Sequence, residues 1–145
     1  MDACVTFVVP SETRFLPVVR AAVHELGRAY GFGETDCRML ALAVDEALAN
    51  VIRHAYGGDP AGEVEVQCLA RPDRLEFMLL DEGTPPDPSR LMAPVDLMAS
   101  GGRGTHIIRA VMDEVSYERA PRGNRLRLSK RLPATHGATG NGGKT

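Results

Sequence analysis

Between Cys37 and Gly58 the chain reads CRMLALAVDEALANVIRHAYGG, and its apolar positions Leu40, Val44, Ala47, Leu48, Val51 and Ala55 recur at intervals of three and four. That period gathers side chains on one stripe of an α-helix, so an amphipathic helix is predicted, capped by Thr35 or Asp36 and stopped by Gly57, Gly58, Asp59 and Pro60. At about 100° per residue, Glu46, Asn50 and His54 stack along the edge of the apolar stripe.

The pattern before this helix changes twice. ACVTFVV, residues 3 to 9, is β-branched and aromatic and reads as a strand ended by Pro10. SETRFLPVVRAAVHELGRAYG then reads as a helix stopped at Gly31, with Leu16, Val19, Val23, Leu26 and Tyr30 on its apolar face. Ser11 or Thr13 is its cap, and Pro17, tolerable only near a helix start, favours Thr13.

Downstream, EVEVQCLA at 63 to 70 alternates like a strand with one wet face. RLEFMLLDEG follows a turn at Arg71-Pro72-Asp73, and its apolar run Phe77 to Leu80 predicts burial on both faces. From Gly83 to Gly104 the periodicity gives way to a long stretch rich in Pro, Gly and Ser, a length usually found in functional lids or disordered segments. THIIRAVMDEV returns to helical spacing, and DEVSYER and NRLRLSKRL read as a hairpin turning at Pro121-Arg122-Gly123-Asn124. Residues 133 to 145 are rich in Gly and Thr with little to bury and read as a disordered tail behind a single domain of residues 1 to 132. The order strand, helix, helix, strand, strand, loop, helix, strand, strand predicts an α+β fold. We expect a two-layer sandwich with helices on one face of a mixed, mostly antiparallel sheet.

Composition narrows the functional classes. With 17 Lys and Arg against 19 Asp and Glu, the chain has no basic excess to neutralise phosphates, which argues against a nucleic-acid binder. The basic cluster Arg119, Arg122, Arg125, Arg127, Lys130 and Arg131 reads as the solvated face of a strand pair. Three isolated cysteines and four scattered histidines suggest neither a disulfide framework nor a zinc site. No apolar run reaches the roughly eighteen residues of a membrane span, and the start lacks a signal-peptide pattern, so a cytoplasmic protein is expected.

Three places could carry chemistry. A carboxylate and a carboxamide one helical turn apart, Glu46 and Asn50, can hold a hard cation or position a water or hydroxyl; the same row could equally be a solvated helix edge. Asp81 at the end of a core strand can accept a hydrogen bond from an exocyclic amine, with Gly83 letting a flat ring approach the backbone; Asp-Glu-Gly is also a common turn. Gly101-Gly102-Arg103-Gly104, entering a helix, can offer free N–H groups to phosphates or simply be a flexible entry. No GxxxxGK[ST] phosphate loop occurs.

EALAN at 46 to 50, the Asp81-Glu82-Gly83 box and the GGRG segment at 101 to 104, in this order with a long loop between, resemble the N, G1 and G2 boxes of the Bergerat-type ATPases. The small size, DEGTPPDP, GGRGTHIIRAVMDEVSY and GNRLRLSKRL look most like the anti-sigma-factor serine-protein kinases, over about residues 5 to 132. The resemblance implies that Asn50 is a ligand of a magnesium ion bridging the ATP phosphates and Glu46 the general base. It implies that Asp81 binds the adenine amino group beside Gly83. Gly102 and Gly104 would face the phosphates with Arg103 and Thr105 adjacent, beneath a lid spanning about Pro85 to Ser100. Pro85, where the wider superfamily often has a second glycine, and Thr105-His106 depart from the pattern. The implied partners are a sigma factor and an anti-sigma-factor antagonist as phosphoryl acceptor, and the implied state is a homodimer. A binding module that uses ATP only to set its shape is the alternative. A histidine kinase half is disfavoured, since the chain has no dimerisation helix with a phosphoacceptor histidine.

Overall fold

The computed structural model describes residues 2–57, 59–83 and 102–134. Five strands and three α-helices follow in the expected order. They are β1 (Ala3–Pro10), α1 (Leu16–Ala29), α2 (Glu34–Ala55), β2 (Glu63–Ala70), β3 (Arg74–Asp81), α3 (Gly102–Val111), β4 (Glu114–Ala120) and β5 (Gly123–Arg131), with a 3₁₀ turn at Thr13–Phe15 before α1. The predicted lid and most of the predicted tail lie outside the described residues.

The sheet order is β1-β2-β3-β5-β4. All four pairings are antiparallel, so the expected mixed sheet is corrected to an antiparallel one. Two features explain this. The α1–α2 hairpin sends the chain up and back, which returns it for a strand antiparallel to β1. In the order of strands β5 lies between β3 and β4 and pairs antiparallel with each, so those two strands run alongside it without pairing with each other.

Alternation along the strands places the core. Val64, Val66 and Cys68 of β2, Phe77 and Leu79 of β3 and Leu128 of β5 are buried, and the ladder sets Cys68, Phe77 and Leu128 side by side. Against them pack Val19 and Val23 of α1, Leu40, Val44 and Leu48 of α2, and Ile108 and Val111 of α3. The other sheet face carries Glu65, Gln67, Met78 and Leu80, all half-buried, and Val8, exposed. The expected two-sided burial of Phe77 to Leu80 is therefore corrected: Phe77 and Leu79 are buried, whereas Met78 and Leu80, half-buried, face the side opposite the described helices.

Helix α2 packs against both α1 and α3 as well as β3. That position explains why Cys37, Ala41, Ala43, Ala49 and Ile52 are buried in addition to the predicted stripe. Both helix starts differ from the expected side-chain caps. Thr13 lies inside the 3₁₀ turn and Phe15 takes the cap position of α1, with Pro17 in the first turn. Helix α2 starts from Gly33, whose carbonyl accepts the Cys37 N–H at 2.9 Å, so neither Thr35 nor Asp36 is the cap. Helix α3 begins on the glycines and ends at Val111, leaving Glu114 and Val115 to β4.

Candidate functional site

Helix α2 supplies the first group. Glu46 and Asn50 are half-buried and His54 is exposed, so the polar row climbs out of the packed layer toward the C-terminal end of the helix. The neighbouring Asp45 is drawn to α1 by an ion pair with Arg20 at 3.1 Å. Glu46, about 100° further round the helix, points along a different direction. The Asn50 carboxamide oxygen accepts a hydrogen bond from the Arg53 guanidinium, which lies on the same face three residues on.

The end of β3 supplies the second. Asp81 lies on the helix-covered face of the sheet with only 8% of its surface exposed. Its Oδ1 accepts the Gly83 N–H at 2.9 Å and the Asn124 Nδ2–H at 2.8 Å. The same Asn124 amide also donates to the Gly83 carbonyl at 3.2 Å, and its own oxygen accepts the Tyr117 hydroxyl. Burial raises the Tyr117 pKa above the usual tyrosine value, the Asp81 charge adding to the effect and Arg119 opposing it. Gly123, at φ +157°, lies so close to Asp81 that a Cβ there would fall 1.9 Å from the Asp81 carbonyl oxygen. Glycine is therefore required where β5 meets β3.

The two groups meet at a junction of helix and strand. A Cβ on Gly83 would lie 2.2 Å from the Ala55 carbonyl oxygen, which places the end of β3 directly on the last turn of α2. The Tyr56 hydroxyl donates to the Glu63 carbonyl at 2.7 Å and accepts the Glu82 N–H at 2.9 Å, tying the end of α2 to both β2 and β3. His54, Ala55, Tyr56, Gly57, Glu82 and Gly83 then line one open cleft. Asn50 and Glu46 lie one and two turns up the same helix from His54.

The structure thus brings His54 of the α2 row to the Gly83 end of β3, whereas Glu46, Asn50 and Asp81 are not among the residues that line the cleft. It also refines the reading of Gly83: the space a side chain would take there is filled by Ala55, so the glycine is demanded by helix packing. Gly102, Arg103, Gly104 and Thr105 form the first turn of α3, which packs on α2. The side chains of that turn and Gly101 itself lie outside the described residues.

Three residues of the cleft and its support were not singled out from the sequence: Tyr56, Tyr117 and Asn124. The sequence pattern places Asn124 in a turn, whereas the structure closes that turn on Pro121 and Arg122 and pairs Asn124 with Asp81 in the ladder.

Asn50 is the residue of this row that could hold a metal ion through its carboxamide oxygen, which Arg53 engages here. Among the described residues no group of three or more His, Cys, Asp or Glu side chains could hold a metal ion. Magnesium commonly takes one or two protein oxygens and completes its shell with phosphates and water, for which the Asn50 oxygen is an adequate anchor. No helix among the described residues is long and apolar enough to cross a membrane.

Comparison with known proteins adds to this geometry. The family described as "Histidine kinase-like ATPase domain" matches residues 9–130. The serine-protein kinase RsbW of Bacillus velezensis is 30% identical over 119 residues, covering 76% of this chain and 74% of that protein. The Bacillus subtilis protein of the same name matches with the same identity and coverage. The Listeria monocytogenes protein is 28% identical over 120 residues, covering 77% of this chain and 76% of its own length. Among solved structures, the RsbU and RsbW domains of a Mycobacterium tuberculosis protein superpose with a TM-score of 0.64 at 18% identity, over 90% of this chain and 32% of that one. The histidine kinase domain of a blue-light activated kinase from Erythrobacter litoralis gives 0.56 at 17% identity, over 88% of this chain and 64% of that one. This chain thus spans about a third and about two thirds of those two structures, and the likeness shows a shared fold.

Proposed function

Because this chain belongs to the histidine kinase-like ATPase family, and within it to the anti-sigma-factor serine-protein kinases, we propose that it is an ATP-dependent protein-serine kinase that also sequesters a sigma factor. The phosphoryl acceptor in this reading is a serine of a small anti-sigma-factor antagonist. The protein works as a cytoplasmic homodimer, a state inferred from the family resemblance. The observation that supports the nucleotide site is the contact of Gly83 with Ala55, which joins the strand end carrying Asp81 to the last turn of α2, where His54 and Gly83 line one open cleft.

Each residue then has a role its chemistry supports. Asp81, an acceptor held by two N–H groups, takes the adenine amino group. Asn50 offers its carboxamide oxygen to magnesium. The first turn of α3, with Gly102, Arg103, Gly104 and Thr105, presents backbone N–H groups and the positive end of a helix to phosphates. ATP, when bound with magnesium, supplies the phosphoryl group for in-line transfer. Glu46, two turns above the cleft wall, accepts the proton of the acceptor hydroxyl.

Purified protein incubated with labelled ATP, magnesium and candidate antagonists tests this reading. Label is expected on a serine of one antagonist, and Glu46→Ala should bind ATP yet fail to transfer. Nucleotide binding without any labelled protein would instead favour the module that uses ATP only to set its shape. Absence of nucleotide binding would overturn both.

A further inference from the structure

Resting on the reading of the cleft as part of a nucleotide site, we propose that Tyr56 is a positioning residue whose hydroxyl wedges open the last rung of the β2–β3 ladder and so holds the cleft in its binding shape. The register of the ladder shows where. It ends at Val64 opposite Asp81, so the next rung would set Glu63 opposite Glu82.

Alternation along β2 shows what that rung should be. In an antiparallel sheet, successive residues of an inner strand direct their N–H and C=O groups to alternate neighbours. Just beyond the last β1–β2 pair, Pro10 with Glu63, the Ser11 N–H donates to the Gly62 carbonyl at 2.8 Å. Gly62 therefore faces β1, and Glu63, one residue on, turns its carbonyl toward β3. A regular ladder would close here with the Glu82 N–H on the Glu63 carbonyl. Instead the Tyr56 hydroxyl stands between them, donating to that carbonyl at 2.7 Å and accepting that N–H at 2.9 Å. Both backbone groups are satisfied, with the strands held further apart than a direct bond of about 2.9 Å allows.

Splaying at this rung lets the chain leave the sheet at Glu82 and cross the end of α2. Gly83 then meets the Ala55 carbonyl, and Tyr56, Glu82 and Gly83 line the same cleft. A direct rung would draw Glu82 toward β2 and away from α2. The wedge is itself held in place. Tyr56 is the C-terminal cap residue of α2, its carbonyl accepts the Asp59 N–H at 2.9 Å, and a Cβ on Gly62 would lie 2.5 Å from its ring. Tyr56 thereby acts on the ligand through the backbone of Glu82 and Gly83.

Calorimetric titration of the full chain with ATP in magnesium tests the inference, with thermal melting to establish that each variant is folded. Tyr56→Phe keeps the ring and removes the bridge, and should weaken ATP binding about tenfold, the scale of one or two neutral hydrogen bonds. Gly62→Ala keeps the hydroxyl but pushes the ring aside, and should weaken ATP to a similar degree. The double variant should bind no more weakly than Tyr56→Phe alone, because both changes remove the same bridge. A merely structural role would lower the melting temperature and leave the affinity of the folded protein unchanged. Folded variants that bind like wild type, or losses that multiply in the double variant, would overturn the inference. Amide exchange on wild-type protein needs no substitution: the Glu82 N–H should be protected and should slow further when ATP binds. Exchange at the rate of an unstructured amide would also overturn the inference. Absence of ATP binding by wild-type protein would instead bring down the nucleotide reading, and the inference with it.

Discussion

Gly83 and Ala55 touch so closely that the strand end and the helix end form one rigid corner: a Cβ on Gly83 would lie 2.2 Å from the Ala55 carbonyl oxygen and 2.8 Å from the Ala55 Cβ. Backbone cannot yield there as the tip of a flexible side chain could. Gly83→Ala must push β3 off α2 or distort the end of the helix, and overpacking of this kind costs about 1–3 kcal/mol. It should also displace the Gly83 N–H from Asp81. We expect a lower urea midpoint and weaker ATP binding in the same variant. An unchanged midpoint with unchanged binding would mean that the corner relaxes freely.

Arg53 and the proposed magnesium ion would compete for one atom. The guanidinium engages the Asn50 carboxamide oxygen, and two cations at a single oxygen repel each other. Metal binding at Asn50 therefore requires Arg53 to withdraw. Arg53 is exposed, so its hold is worth about 0.5–1 kcal/mol, in the range of other exposed charged contacts. Arg53→Ala should lower the magnesium concentration needed for half-maximal nucleotide binding by about two- to fivefold, and Asn50→Ala should remove most of the magnesium dependence. A higher magnesium requirement in Arg53→Ala would show that Arg53 supports the metal site instead.

How much of this was written in the chain depends on the range of the interactions. The period of α2 places Glu46 and Asn50 on one helix face, and the alternation of β2 locates that strand to the residue, because these signals are local; β3 starts where the pattern predicts, at Arg74, and ends two residues early, at Asp81. Helix starts differ from expectation because the expected caps are side chains, whereas α2 opens on the backbone carbonyl of Gly33. The sheet was expected to be mixed because no local pattern reveals that β5 inserts between β3 and β4. Asp81 was legible as an acid at a strand mouth. Its support was not: Asn124 reaches it from 43 positions away, and Tyr117 only through Asn124. Gly83 was legible as a glycine that matters, but the reason, the carbonyl of Ala55, is a tertiary contact.

Glu76 gives the fold a dependence on pH away from the cleft. It lies on the sheet face opposite the described helices, yet its side chain is only 3% exposed, covered by Arg74 at 2.8 Å and Arg71 at 3.4 Å. Burial raises its pKa, but the hydrogen bond and charge of Arg74, together with Arg71, outweigh burial and hold the carboxyl below its usual range. A depressed carboxylate stabilises the fold above its unfolded pKa of about 4.3 and loses that contribution as pH falls through the folded value. Glu76→Gln should cost about 1–3 kcal/mol at pH 7, as for other hydrogen bonds to buried charge. The gap between variant and wild type should close in acid, below about pH 4. Urea melts at both pH values would test this, and a gap that persists in acid would mean that packing, not charge, makes the difference.

The cysteines report whether the edge strand β1 stays closed. Cys4 is exposed, whereas Cys37 and Cys68 are buried. Cys68 sits on the core face of β2 between Val5 of β1 and Phe77 of β3, and burial, with a small addition from Cys4, pushes its thiol up to about 12. Cys37 is also raised, first by burial and then by the Glu34 charge. Only the thiolate attacks a disulfide reagent, so both buried thiols should be inert near pH 8 on grounds of access and ionisation together. A chromogenic disulfide should therefore label one thiol per native chain quickly, that of Cys4, and all three once urea unfolds the protein. Because a raised folded pKa favours the neutral thiol, stability should decline as pH rises from the unfolded thiol value of about 8.5 toward the folded one. Slow labelling of Cys68 should quicken over that window. β1 is paired on one edge only, and Val5 opposite Cys68 is 41% exposed, so local opening there is the main alternative. Rapid native labelling of two thiols at pH 8, with Cys68 identified by peptide mapping, would show that β1 detaches from β2 without global unfolding.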